Sequence, residues 1–257
     1  MTDAYDFHAG ESPLLVSVPH DGRLIPPQMA EQMTAAGLSL PDTDWHVARL
    51  YEFARDLGAS MIVARYSRYV VDLNRPADDT ALYPGQLATG LCPRQTFDGR
   101  DLYVTQTEVD TESRVERFWR PYHERIRETL DELRRRHGRA LLWDAHSIAS
   151  RVPSLFDGEL PVLNLGTFDG RSCDPAIAAA VLRVAEKSPY ECVQDGRFKG
   201  GYITRHYGDP ANGVQAMQLE LAQRAYMDEQ TRDYDELKAS HLADTLRALL
   251  DGFTIRP

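Results

Sequence analysis

Ala140-Leu141-Leu142-Trp143-Asp144-Ala145-His146-Ser147 is the stretch that decides the fold. An unbroken apolar run passes into a polar end that carries a histidine. This is the pattern of a buried strand entering a loop at its carboxyl end. The same pattern occurs at Leu14-Leu15-Val16-Ser17-Val18-Pro19-His20, followed by Asp21-Gly22. Further strands are expected at residues 60–65, 68–73, 160–166, 190–194 and 216–221, several of them rich in β-branched residues. Helical patterns lie between them. One opens at Asp42-Thr43-Asp44, puts Val47, Leu50, Tyr51 and Ala54 on one face, and closes at Gly58. Others span 112–137 (closed by Gly138), 175–186 (Pro175 near the first turn) and 233–250. Residues 74–110, rich in Pro, Gly, Thr and Asp, read as a long functional loop. Strands alternating with helices predict an α/β fold: a parallel or mixed sheet flanked by helices. Ligand sites in such sheets lie beyond the carboxyl ends of the strands.

The bulk numbers narrow the function. A chain of 257 residues with 42% hydrophobic and 26% charged residues can bury a large core. The net charge of -10 opposes binding to phosphate backbones, so no nucleic-acid partner is expected. If the substrate is itself an acid, arginines must be gathered locally to hold it. Cys92, Cys173 and Cys192 form no CxxC pair, which suits a reduced, cytoplasmic protein. The polar, acidic start of the chain lacks the pattern of a secretory signal, and no run of 18 apolar residues is present, so no membrane partner is expected.

The ends of the strands carry the chemistry. His20 and His146 each follow a buried strand, and strand ends on one sheet edge converge. Neutral imidazoles are good zinc ligands, and a catalytic zinc takes three protein ligands and leaves a fourth position open. A carboxylate often completes the set: Asp44 is well placed, with Asp42 as its rival. Asp144 and Asp21, beside the two histidines, could orient the rings. A histidine at a strand end is nonetheless more often a hydrogen-bonded loop residue, and no compact HExxH or CxxC motif occurs. Arg68, Asn74 and Arg75 could clamp a carboxylate, since arginine offers a planar fork of donors. Glu220, set among apolar residues 216–221, is costly to bury without a partner or a task. A buried carboxylate of raised pKa can shuttle protons. Gly200-Gly201, ahead of Arg205 and His206, suggests a loop that approaches a ligand closely. His123 and His137 read as solvated residues of a charged helix, and His46 as a residue near the site.

Taken together, these stretches resemble the N-formylglutamate amidohydrolase family. The matching segments are residues 18–26, 42–47, 67–76, 143–147, 199–205 and 218–227, in order and over nearly the whole chain. The family is similar in fold to zinc carboxypeptidases and aspartoacylase-like deacylases. The resemblance implies one domain over residues 1–257, with a mixed, mostly parallel sheet of about eight strands. It implies Zn2+, or another divalent metal, at His20, Asp44 and His146. Here the chain departs from the His-x-x-Glu pattern of carboxypeptidases, because Arg23 stands three residues after His20. It further implies Glu220 as general base, Arg68 beside the scissile carbonyl, and Asn74 with Arg75 on a substrate carboxylate. Arg205 or another basic residue of the glycine loop, His206 among them, would take the second carboxylate. The implied activity is hydrolysis of N-formyl-L-glutamate to formate and L-glutamate, in histidine breakdown. The alternatives are another acyl-amino-acid deacylase of the same fold and a non-enzymatic binder of an acidic metabolite.

Overall fold

The computed structural model describes residues 3–82, 89–105 and 109–255. Seven strands form one mixed sheet: β1 (Tyr5–His8), β2 (Leu14–Val18), β3 (Ser60–Ala64), β4 (Ala140–Ile148), β5 (Leu163–Gly166), β6 (Cys192–Gln194) and β7 (Val214–Ala222). Their order across the sheet is β1-β3-β2-β4-β7-β5-β6. β3, β2, β4 and β7 are mutually parallel, as are β5 and β6, whereas β1 and β5 run antiparallel to their neighbours β3 and β7. Every residue of β2, β4 and β7 is buried. That is why the central strands read as near-continuous apolar runs.

The helices are α1 (Pro27–Ala30), α2 (Ala35–Leu38), α3 (Val47–Leu50), α4 (Thr111–Arg114), α5 (Arg120–His137), α6 (Pro175–Lys187), α7 (Tyr202–Tyr207) and α8 (Glu236–Thr254). A π-helical turn, Val115–Trp119, joins α4 to α5. Alternation along the strands sorts the core into two layers. Leu14, Val16, Leu141 and Trp143 pack towards Ile177, Val181, Leu246 and Phe253 of α6 and α8. Leu15, Ile62, Leu142 and Ala216 pack towards Tyr122, Ile126 and Leu130 of α5. Asp144 and His146 have the parity of Leu142, so both point to the α5 side. No helix among the described residues is long and apolar enough to cross a membrane.

Several elements differ from the sequence reading. Residues 68–73 form a turn rather than a strand. Val70 N donates to Ser67 O at 2.8 Å and Asp72 N to Leu91 O at 2.7 Å. The turn brings Arg68 NH2 to within 2.7 Å of Asp72 Oδ2. Four steps along a strand would separate those residues by about 13 Å. Tyr69, Val70 and Val71 are buried in the second core layer, so their apolar pattern reports burial and not pairing. Conversely, β1 escaped the sequence reading because a half-exposed edge strand of four residues carries no apolar run. The helix expected to open at Asp42 is shortened to α3 and a 3-10 turn, Glu52–Arg55. Val47, Leu50, Tyr51 and Ala54 still share the core, and Gly58 closes the segment at φ +69°.

Candidate active site

Three side chains meet just beyond the carboxyl edge of the sheet. His20 follows β2, His146 lies near the end of β4, and Asp44 precedes α3. One ligand atom from each falls within 4.8 Å of the others, and all three residues are buried. Asp44 Oδ2 is 3.0 Å from His146 Nδ1 and 3.8 Å from His20 Nδ1. In a tetrahedral site with bonds of about 2.0–2.1 Å, ligand atoms stand about 3.3 Å apart, so the spacing suits a small divalent cation. The outer nitrogens are also provided for. His20 Nε2 lies 2.8 Å from Asp72 Oδ1, and His146 Nε2 lies 3.2 Å from Asp144 Oδ2. A carboxylate behind each ring turns the inner Nδ1 atoms towards Asp44. Asp44, Asp72 and Asp144 are all buried, with Arg68 as the guanidinium among them. That donor set carries an excess of negative charge that a divalent ion would balance.

The remaining carboxylates are separated by their partners. Asp42 Oδ2 accepts from Tyr69 OH at 2.7 Å and from Phe97 N at 2.8 Å, so Asp44 and not Asp42 joins the two histidines. Asp21 turns away from His20, accepting from Ala48 N and pairing with Arg23. Asp72 takes the orienting position beside His20. It lies inside the quoted Arg68–Arg75 segment, where a carboxylate between two arginines was the available signal. His46 lies outside the cluster, with its Nε2 2.9 Å from Arg232 O.

Burial, then the charge of Arg68, holds the pKa of His20 below its usual value despite Asp72 and Asp44. That favours the neutral ring that binds metals. At His146 burial pulls the same way, but Asp144 and Asp44 outweigh it and set the pKa well above the ordinary range. The protonated ring is therefore favoured, and a metal at His146 would have to displace a proton. Burial opposes ionisation of Asp44, yet His146, His20 and Arg68 hold its pKa low.

Glu220 sits one strand away. β4 and β7 pair in parallel with His146 opposite Glu220 and Asp144 opposite Gln218, so all four side chains share a face. Burial raises the pKa of Glu220 to about 8, with His146 opposing. Its Oε2 accepts from Gln218 Nε2 at 3.2 Å.

The cavity between these residues and the glycine loop is lined by Arg68, Asn74, Arg75, Arg197, Gly201 and Glu220, among others. Asn74 is held on every side. Its N donates to Asp72 Oδ1 at 2.9 Å, Ile203 N donates to its Oδ1 at 2.8 Å, and its Nδ2 packs 2.9 Å from His146 Nε2. Gly201 permits this closeness, since a Cβ there would lie 2.3 Å from Asn74 Nδ2. The backbone on either side is held from α5 and its π-helical turn. His123 Nε2 donates to Leu73 O at 2.9 Å and Trp119 Nε1 to Arg75 O at 2.9 Å, with the two rings stacked 3.8 Å apart. His123, read from sequence as solvated, is therefore buried, and burial lowers its pKa to about 3. His137 is half-buried. The expected loop after Gly201 is the short helix α7. Arg205 and His206 lie on it outside the cavity lining. Arg205 donates to Gly200 O and Leu82 O, and His206 stacks on Tyr202. Arg197, to which the sequence reading gave no role, faces the cavity instead.

A sheet edge that gathers two imidazoles, a carboxylate and a buried acid of raised pKa has the make-up of a hydrolytic centre on an α/β fold. The comparisons narrow it. A sequence model of the N-formylglutamate amidohydrolase family matches residues 12–227. An N-formylglutamate deformylase of Pseudomonas putida is 53% identical, over 89% of this chain and 87% of its own length. One of Pseudomonas aeruginosa is 49% identical, over 97% of each chain. The chain belongs to the N-formylglutamate amidohydrolase family. The crystal structure of an N-formylglutamate amidohydrolase from Ralstonia eutropha JMP134, 24% identical, covers 98% of each chain with a TM-score of 0.84, which shows the same fold.

Proposed function

We propose that the chain hydrolyses N-formyl-L-glutamate to formate and L-glutamate, using a divalent metal, Zn2+ by preference, at His20, Asp44 and His146. The observation that carries this reading is the buried His20–Asp44–His146 cluster, backed by Asp72 and Asp144 and flanked by Glu220. The names of the Pseudomonas relatives at about half identity support the substrate. The metal would act as a Lewis acid on the formyl carbonyl and lower the pKa of water towards about 7.

The chain's own residues supply the rest. Glu220 takes the proton of the attacking water on its carboxylate, and delivers a proton to the amide nitrogen as the C–N bond breaks. Arg68, fixed by Asp72, places guanidinium N–H groups at the edge of the metal cluster, where negative charge grows on the carbonyl oxygen. Asn74 and Arg75 hold one carboxylate of the substrate. Arg75 Nε is buried without a hydrogen-bond partner among the described residues, which suits a site awaiting an anion. Because the formyl group is small, binding energy must come from the glutamate half. The arginines collected in the cavity answer the problem of an acidic substrate on a chain of net charge -10. We assign the protein to the cytoplasm and to histidine breakdown on the same family grounds. The whole chain, residues 1–257, would act as one domain.

The test is formate release from a panel of N-formyl, N-acetyl and N-succinyl derivatives of L-glutamate and L-aspartate, with and without a chelator. N-formyl-L-glutamate should be the best substrate, and chelation should abolish turnover. A better acetyl or succinyl substrate would mean a different deacylase. No turnover of any, with tight binding of L-glutamate, would mean a binding protein.

A further inference from the structure

We infer that Arg197 selects an acidic side chain in the substrate: its guanidinium receives the distal carboxylate of a dicarboxylic N-acyl amino acid. The inference rests on the deacylase reading and names the specificity of that same site. Three arginines line the cavity, Arg68, Arg75 and Arg197. Arg68 is committed to Asp72 and Asp44, at 2.7 and 3.8 Å. Arg75 adjoins Asn74 and serves the first carboxylate. A substrate with two carboxylates leaves one anion without a receptor, and Arg197 is the cavity guanidinium that remains.

Its local chemistry suits that task. Arg197 Nε donates to Leu155 O at 2.7 Å, which fixes the plane of the guanidinium. Of its five N–H donors this uses one, and no carboxylate among the described residues pairs with the others. Leu155, Phe198 and Ile148 line the same cavity and form an apolar frame beside the charge. A neutral side chain would leave the guanidinium without its partner. The other cations of this region are engaged elsewhere. Arg205 donates to Gly200 O and Leu82 O and lies over the Phe168 ring, and Lys199 Nζ pairs with Asp169 at 2.8 Å.

The experiment measures kcat/KM for N-formyl-L-glutamate and N-formyl-L-glutamine with the metal-loaded enzyme, its Arg197→Gln, Arg197→Lys and Arg205→Gln variants. Calorimetry of L-glutamate and L-glutamine binding to the same proteins provides a second readout. The glutamate-over-glutamine preference should fall about 100-fold in Arg197→Gln and only partly in Arg197→Lys, with the calorimetric preference falling in parallel. The inference is overturned if Arg197→Gln keeps the preference, or if Arg205→Gln and not Arg197→Gln loses it. Should the wild type release formate from neither compound, the deacylase reading fails, and the calorimetric preference alone then judges Arg197.

Discussion

His146 and Glu220 are register partners on the adjacent parallel strands β4 and β7. This pairing sets a metal-ligand candidate and a candidate proton carrier side by side on one face of the sheet, with no loop between them. Elements this rigid hold a reacting geometry better than loops do.

Glu220→Gln keeps the shape and removes the proton carrier. We expect kcat to fall by about 10²–10⁴-fold, with metal content unchanged by elemental analysis. Wild-type kcat in the variant would remove Glu220 from the mechanism.

The same residue sets a pH dependence of stability. Its pKa is raised to about 8 in the folded, metal-free protein. Its contribution is therefore fully present below the unfolded value near 4.5 and is lost as pH rises through about 8. Urea unfolding of the metal-free protein at pH 5 and pH 8.5 should show Glu220→Gln gaining on the wild type at the higher pH, by on the order of a few kcal/mol. Parallel pH profiles for the two proteins would refute the raised pKa.

Asp72→Asn leaves His20 in place but removes the carboxylate 2.8 Å behind its ring. Loss of such an orienting group typically weakens metal affinity or activity about 10–100-fold. A competition titration against a chromophoric chelator reads this directly. An unchanged affinity would mean that Asp72 serves Arg68 alone.

Gly201→Ala tests the carboxylate clamp by steric means. The backbone there has φ -82°, open to alanine, yet the added Cβ would lie within 2.3–2.6 Å of the Asn74 side-chain amide. Asn74 must move, so KM for N-formyl-L-glutamate should rise about tenfold or more with metal content preserved. A normal KM would show that Asn74 is not needed to hold the substrate.

Much of this site is legible in the sequence because strand ends announce themselves. The apolar runs ending in His20 and His146 locate two members of the buried cluster, and the out-of-place carboxylate of Glu220 marks the buried acid on the next strand. What the sequence hides is direction. Asp42 and Asp44 have similar local surroundings, and only the hydrogen bonds from Tyr69 and Phe97 to Asp42 separate them. Arg197 and Arg205 are both basic residues near paired glycines. The short helix α7 carries Arg205 outside the cavity lining, and no periodicity announces a helix of six residues. The turn at residues 68–73 looks like a strand because burial of Tyr69, Val70 and Val71 gives the same apolar pattern as pairing would.

The raised pKa of His146 ties metal uptake to proton release, since its Nδ1 faces Asp44 and must lose its proton to bind an ion. Affinity for Zn2+ should therefore weaken steadily as pH falls from 8 to 6. A flat profile would mean that the ring is already neutral.

The most direct test of the central claim is a Zn2+ titration of the chelator-stripped protein alongside Asp44→Ala and Asp42→Ala, with formate release measured on each loaded sample. The expected result is about one tightly held ion per chain in the wild type and Asp42→Ala, and loss of both ion and turnover in Asp44→Ala. Undiminished formate release from stripped protein, or an ion that survives Asp44→Ala and disappears with Asp42→Ala, would contradict the account.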